Sequence, residues 1–197
     1  MAENTDKYED YFAHLSKISL LGRVYKKFMS SPVLFYCARR FGNRVIEIGS
    51  GTGSGILGSF PNKVQGLEIN PVAVDYCKAA GLHVQLVKDD GIFPVVDGAY
   101  DACVLDNVLE HIEDPRKTLD ECYRITVKEG GLVIAVPGIR GYVLDDDHKK
   151  FYDAEALRQL DDRWLLQSLF STPFYFTSEK LSKSVRQYCL VATFKKI

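Results

Sequence analysis

Val45-Ile46-Glu47-Ile48-Gly49-Ser50-Gly51-Thr52-Gly53 joins a short β-branched run to three glycines at alternate positions. Val45, Ile46 and Ile48 suit a strand covered on both faces, and the glycines let the backbone turn sharply and approach a ligand with no Cβ in the way. The stretch reads as a buried strand opening into a cofactor-binding turn. Glu68 ends the next apolar stretch, Val64-Gln65-Gly66-Leu67-Glu68-Ile69. It stands at roughly the 20-residue offset where βαβ cofactor folds set a carboxylate on ribose hydroxyls.

The glycine spacing separates two kinds of cofactor. A dinucleotide fingerprint, G-x-G-x-x-G counted from Gly49, requires glycine where Ser54 stands. Gly53-Ser54-Gly55-Ile56-Leu57-Gly58 has the right spacing but starts too late, inside the helix expected after the turn. What stands at the turn is E-x-G-x-G-x-G. A carboxylate at Glu47 is poorly placed beside a pyrophosphate and well placed to receive the ammonium of an amino-acid moiety, directly or through water. The turn therefore asks for a cationic ligand.

Further motifs follow in order: Asp89-Asp90-Gly91; Tyr100-Asp101-Ala102-Cys103-Val104-Leu105-Asp106-Asn107-Val108-Leu109-Glu110-His111-Ile112; Lys128-Glu129-Gly130-Gly131 before Leu132-Val133-Ile134-Ala135-Val136-Pro137; and His148-Lys149-Lys150-Phe151-Tyr152 before Asp153-Ala154-Glu155-Ala156-Leu157. With the glycine turn and Glu68, this series resembles the class I S-adenosylmethionine-dependent methyltransferases, in the small-molecule group with an E-H-I signature. The resemblance runs from about Arg44 to Leu160. It implies a Rossmann-like three-layer α/β/α sandwich with a mostly parallel seven-stranded sheet and an antiparallel edge hairpin. It also implies S-adenosylmethionine as cofactor. In that family's terms Glu47, Gly49, Ser50, Gly51 and Gly53 hold the methionine end, Glu68 with Ile69 the ribose, and Asp89 or Asp90 with Gly91 the adenine. Asn107 and Val108 shape the floor. Counting back from Pro94 favours Asp89, and the following Gly91 favours Asp90. Ser50 replaces the cysteine or proline often found after the first glycine, a change that a backbone approach tolerates.

A sulfonium methyl is already activated, so its transfer requires mainly alignment and a deprotonated acceptor. His111, at the helix start after the fourth strand, and His148, in the acceptor-side segment, are the candidate bases; histidine has an unperturbed pKa of about 6.5. The competing reading of His111 is a structural residue ordering the helix start, and that of His148 a solvated loop after Asp145-Asp146-Asp147. His14 and His83 read as packing or surface residues. No metal is expected, because adjacent acids on an irregular loop point in different directions.

The chain of 197 residues, 46% hydrophobic, suffices for one core and leaves little room for a second. A single domain is expected, with amino-terminal helices in 1–42, a candidate lid, and a cofactor-binding core in 43–197. Tyr8, Tyr11, Phe12, Leu15, Ile18, Gly22, Tyr25 and Phe28-Met29 follow helical spacing, so a helix is expected over about 7–29, and Pro32 suits the first turn of a second. Core strands are expected near 43–48, 63–69, 83–87, 100–106 and 131–136, with two more at Thr172–Phe176 and Tyr188–Lys196. Asn70-Pro71 and Asp114-Pro115 are helix starts. The net charge of −1 provides no bulk attraction for nucleic acid. Neither a membrane span nor a signal peptide is legible, so a cytoplasmic location is expected. Five widely spaced cysteines read as buried thiols.

The acceptor is reached by exclusion. The N/D-P-P-Y/F element of exocyclic-amine methylation is missing, since Thr172-Pro173-Phe174-Tyr175 lies at the wrong strand, and so is a Pro-Cys nucleophile. A small-molecule substrate accepting the methyl on oxygen is the leading expectation. The alternatives are a non-catalytic binding or regulatory subunit, against which the intact Glu47, Gly49, Gly51, Gly53 and Glu68 argue, and a nicotinamide oxidoreductase, against which the glycine register argues. The sequence leaves the oligomeric state open.

Overall fold

Each central strand alternates between two apolar surfaces. Ile46, Ile48, Cys103, Leu105, Leu132, Ile134, Leu190 and Ala192 face one side, and Val45, Ala102, Val104, Val133, Ala135 and Val191 the other. A strand apolar on both faces must be covered on both, so helices pack on each side of the sheet. A computed structural model describes Tyr8, Glu9, Phe12, residues 20–88 and residues 90–197 of the chain. Its strands are β1 (Val45–Ile48), β2 (Val64–Glu68), β3 (Val84–Leu86), β4 (Tyr100–Asp106), β5 (Thr126–Pro137), β6 (Trp164–Thr172) and β7 (Cys189–Lys196). They form one seven-stranded sheet in the order β3-β2-β1-β4-β5-β7-β6. Pairing is parallel from β3 to β5 and antiparallel where β7 meets β5 and β6. This is the expected mostly parallel sheet with an antiparallel edge hairpin.

The helices are α1 (Leu20–Tyr25), a π-helical turn (Lys26–Ser30), α2 (Ser31–Arg39), α3 (Ile56–Ser59), α4 (Pro71–Ala79), a 3-10 turn (Leu109–His111), α5 (Arg116–Ile125), α6 (Ile139–Tyr142), α7 (Ala154–Arg158) and α8 (Glu179–Ser184). Leu34, Phe35 and Ala38 of α2, Ile56 and Leu57 of α3, and Val74 and Cys77 of α4 cover one face. Leu119, Cys122 and Ile125 of α5 and Leu157 of α7 cover the other. Asn70 caps α4 as expected, its side-chain oxygen accepting the amides of Val72 at 2.9 Å and Ala73 at 3.3 Å. No helix among the described residues is long and apolar enough to cross a membrane. Cys77, Cys103, Cys122 and Cys189 are buried free thiols, and Cys37 is half-buried.

Three expectations shift. The sixth strand lies at Trp164–Thr172 rather than Thr172–Phe176. Pro173 has no N–H for the ladder and Tyr175 has φ +62°, so pairing stops at Thr172. The fifth strand begins at Thr126 rather than at Gly131. Its pairing with β4 jumps from Tyr100–Thr126 to Ala102–Gly131, so the double-glycine segment is an irregularity within the strand. Of the expected amino-terminal helix, Tyr8, Glu9 and Phe12 are helical and α1 runs on into the π turn, whereas Tyr11, Leu15 and Ile18 lie outside the described residues.

The chain runs from β1 outward through β2 to β3 and then returns to β4 on the other side of β1. Such a reversal opens a crevice at the carboxyl ends of β1 and β4, which is where open α/β sheets bind their ligands. Leu105 packs at the centre of the sheet with no exposed surface. Leu105→Ala should cost about 2–5 kcal/mol of stability, read as a lower urea midpoint at unchanged slope.

Candidate active site

The glycine turn begins where β1 stops. The amides of Gly49 and Ser50 both donate to the Leu67 carbonyl of β2, at 2.8 and 3.0 Å. Gly49, Gly51 and Gly53 have φ of +67°, +53° and +71°, a region L side chains rarely enter. A Cβ on Gly49 would stand 2.8 Å from Val108 Cγ2, so this glycine also lets the β1 turn close against the β4 turn. Glu68 is buried at the end of β2. Its Oε2 accepts the Gly51 amide at 2.7 Å, and its Oε1 accepts the amides of Ile69 at 2.8 Å and Asn70 at 2.9 Å. Burial raises the Glu68 pKa and these three bonds work against the rise.

Glu47 lies beneath the turn rather than in the open crevice. Its carboxylate is 2% exposed and accepts the amides of Ile56 at 3.2 Å and Leu57 at 2.8 Å, the first residues of α3. Burial and the neighbouring Asp106 push its pKa up to about 7, against the amide bonds and the charge of Lys26. Lys26 comes from the π turn, and its Nζ lies 3.2 Å from Asp106 Oδ2. Burial disfavours its charge, but Asp106 and Glu47 outweigh that effect and its pKa rises. The amino-terminal segment thus places a cation at the carboxyl end of β4. It is held there by a hydrogen bond from the Tyr25 hydroxyl to Thr172 Oγ1 at 2.9 Å. Further out, Asn70 Nδ2 donates to the Tyr8 carbonyl at 2.9 Å, and the Phe12 and Tyr76 rings lie 5.4 Å apart.

After Asp106 the chain turns through Asn107, whose φ is +56°. The Asn107 side chain donates to Asp106 Oδ1 at 2.7 Å, and its amide donates to the Ala135 carbonyl at 2.9 Å. The 3-10 turn then carries Glu110 and His111. Two segments distant in sequence meet here, for the His111 and His148 rings have centroids 4.7 Å apart. His148 is ordered rather than solvated, with a side chain 7% exposed. Its Nδ1 lies 2.7 Å from the Tyr142 carbonyl, and its ring stacks on Tyr142 at 5.0 Å. Burial, then the neighbouring His148, lower the His111 pKa. Burial pushes Glu110 up to about 8, with Asp106 and Asp145 adding to the rise.

The crevice therefore gathers Gly49, Ser50, Gly51, Gly53, Glu68, Asn107 and Val108 around the ends of β1, β2 and β4, with His111 and His148 beyond β4. Ile69 is 59% exposed beside Glu68. Asp90 is exposed and turns its carboxylate onto the Ile92 amide at 3.0 Å, ahead of Gly91 at φ +65°. Asp89 lies outside the described residues. Sequence reasoning missed Lys26, Asp106 and Glu110. Asp106 and Glu110 lay inside a quoted motif, and their burial was the missing signal. Lys26 reads from sequence as one more solvated cation.

Residues 46–135 match the family model of the methyltransferase domain. An uncharacterised methyltransferase of Mycobacterium sp. (strain KMS) is 31% identical over 97 residues, covering 47% of this chain, and the chain spans 38% of that relative's length. A chain from the Haloferax volcanii complex containing the Trm112 methyltransferase activator superposes with a TM-score of 0.66 at 15% identity, covering 88% of this chain and 92% of that one. A SAM-dependent methyltransferase from Aquifex aeolicus superposes with a TM-score of 0.63 at 15% identity, covering 94% of this chain and 98% of that one. The match places a methyltransferase domain at residues 46–135, and the fold is the one seen in solved S-adenosylmethionine-dependent methyltransferases.

Gly49→Ala adds a methyl against Val108 on a backbone that disfavours it. We expect a loss of about 1–3 kcal/mol in stability, measured by thermal unfolding. Val108→Ala in the same chain should restore only the part due to the clash.

Proposed function

We propose that this chain transfers the methyl group of S-adenosylmethionine to a hydroxyl oxygen of a small-molecule acceptor. The observation that carries the reading is the convergence, at one crevice, of a glycine turn tied to Glu68 with a histidine pair across the end of β4. The cofactor, when bound, supplies a sulfonium methyl. Transfer to the acceptor oxygen would leave S-adenosylhomocysteine, with the acceptor's proton passing to the histidine pair or to water.

The residues fit that cofactor. The place Lys26 occupies beside Asp106, under the influence of Glu47, is electrostatically prepared for a cation, and the amino-acid ammonium matches it. Glu68 spends one lone pair on Gly51 and two on Ile69 and Asn70. That leaves acceptor capacity on Oε2 for a ribose hydroxyl, since a carboxylate offers about four lone-pair sites. The exposed side chains of Ile69 and Ile92, after β2 and β3, give an adenine ring apolar surface; Asp89 or Asp90 with Gly91 takes its amino group. Asn107 and Val108 form the floor beneath the methionine part. His111 and His148 stand on the acceptor side, where they orient the hydroxyl and promote loss of its proton. The amino-terminal segment, docked through Tyr8 and Tyr25, acts as a lid over the one domain.

Calorimetric titration with S-adenosylmethionine, S-adenosylhomocysteine and NAD tests the reading: the first two should bind and NAD should not, and binding of NAD alone would overturn it. Glu68→Ala should weaken S-adenosylhomocysteine by roughly ten- to a hundredfold in a chain that still folds, about 1.5–3 kcal/mol. Glu47 adds a pH dependence whose sign follows from its raised pKa of about 7. A ligand ammonium favours the carboxylate form, so binding releases a proton. Affinity should then rise by up to about tenfold as pH goes from about 6 to about 8, and Glu47→Gln should flatten that profile.

A further inference from the structure

Glu110, His111 and His148 each offer one ligand atom, and these atoms all lie within 4.8 Å of one another. The Glu110 side chain is 1% exposed, and neither of its carboxylate oxygens has a hydrogen-bond partner among the described residues. A buried carboxyl group without partners is costly unless it is protonated or faces a positive charge. Lys26 acts on it only from a distance, being paired with Asp106.

His148 presents Glu110 with an acceptor as well. A carbonyl can only accept, so the contact of His148 Nδ1 with Tyr142 places the proton on Nδ1 and leaves Nε2 with its lone pair in the neutral ring. That Nε2 stands 4.0 Å from Glu110 Oε1 and 3.9 Å from Asp145 Oδ2. His111 Nδ1 is buried with no hydrogen-bond partner among the described residues. These separations are too long for direct hydrogen bonds. Ligands about 2.0–2.2 Å from one ion hold their donor atoms about 3–4.3 Å apart, so small side-chain shifts bring this set onto a single cation. The Nδ1–H···O=C bond is the outer-shell contact that commonly orients a ligating imidazole.

We propose that Glu110, His111 and His148 bind a divalent first-row transition ion, with Asp145 as an additional oxygen donor. Two imidazoles beside a carboxylate favour zinc over magnesium or manganese. The ion would bind the acceptor oxygen and ease loss of its proton to water, so that the histidines would promote that loss as ligands of the ion. This catalytic role rests on the methyl-transfer reading; binding of the ion does not. The expectation of a metal-free site was drawn from the Asp145–His148 run alone, whereas two of the three ligands come from the turn after β4.

The test strips the full-length chain with chelator and titrates it with Co2+ alone, followed by visible absorption, and with Zn2+ alone, followed by calorimetry. One equivalent of each should bind. His148→Ala and Glu110→Gln should each weaken Co2+ binding by at least about tenfold, while S-adenosylhomocysteine binding stays within about threefold and reports that each variant is folded. Failure of the parent chain to take up either ion at one equivalent would overturn the proposal, as would unchanged uptake in both variants. Uptake of the ion without S-adenosylhomocysteine binding would leave the ion site standing and remove the methyl-transfer reading. The reverse result would remove the ion site alone.

Discussion

The Glu68 carboxylate accepts three backbone amides, from Gly51, Ile69 and Asn70, and the geometry at the ends of β1, β2 and α4 depends on those bonds. A buried charge is tolerated only when its lone pairs are met. Here three are met by amides of the glycine turn and the α4 start, so one group answers two costs. The glycine turn can then take its left-handed conformations while Gly49 and Ser50 donate to Leu67. Gly66 leaves room beneath, since a Cβ there would stand 2.7 Å from Ser50 Oγ.

A second constraint is electrostatic. Glu47 and Asp106 lie near each other at the ends of β1 and β4, and each raises the cost of the other's charge; Asp106 adds to the rise in Glu47's pKa. Lys26 relieves this from a segment outside the sheet. The amino-terminal arm is therefore part of the site's charge balance, and Tyr25, bonded to Thr172 across the whole chain, fixes where that charge arrives. Arm position and the charge of these two carboxylates are thereby coupled, because Lys26 belongs to the arm.

Much of the framework was legible because its signals are local. A β-branched run announced β1, apolar stretches announced β2 and β4, and Asn70-Pro71 announced α4, because capping needs only neighbouring residues. β6 was misplaced because its burial is uneven and its ladder with β7 shifts between Leu166 and Ser168, so no clean alternation marks it. The helix after the glycine turn is only Ile56–Ser59, with its start organised by Glu47 from the preceding strand.

By itself the sequence determined the order of strands and helices, the left-handed glycine turn, and the pairing of that turn with an acid at the end of the next strand. These follow from hydrophobic period, backbone freedom and spacing along the chain. Tertiary structure alone decided that Glu47 sits under the turn, that Lys26 faces Asp106, and that Glu110 and His111 meet His148. Those outcomes depend on which groups are desolvated together, and desolvation is set by contacts between segments far apart in the chain.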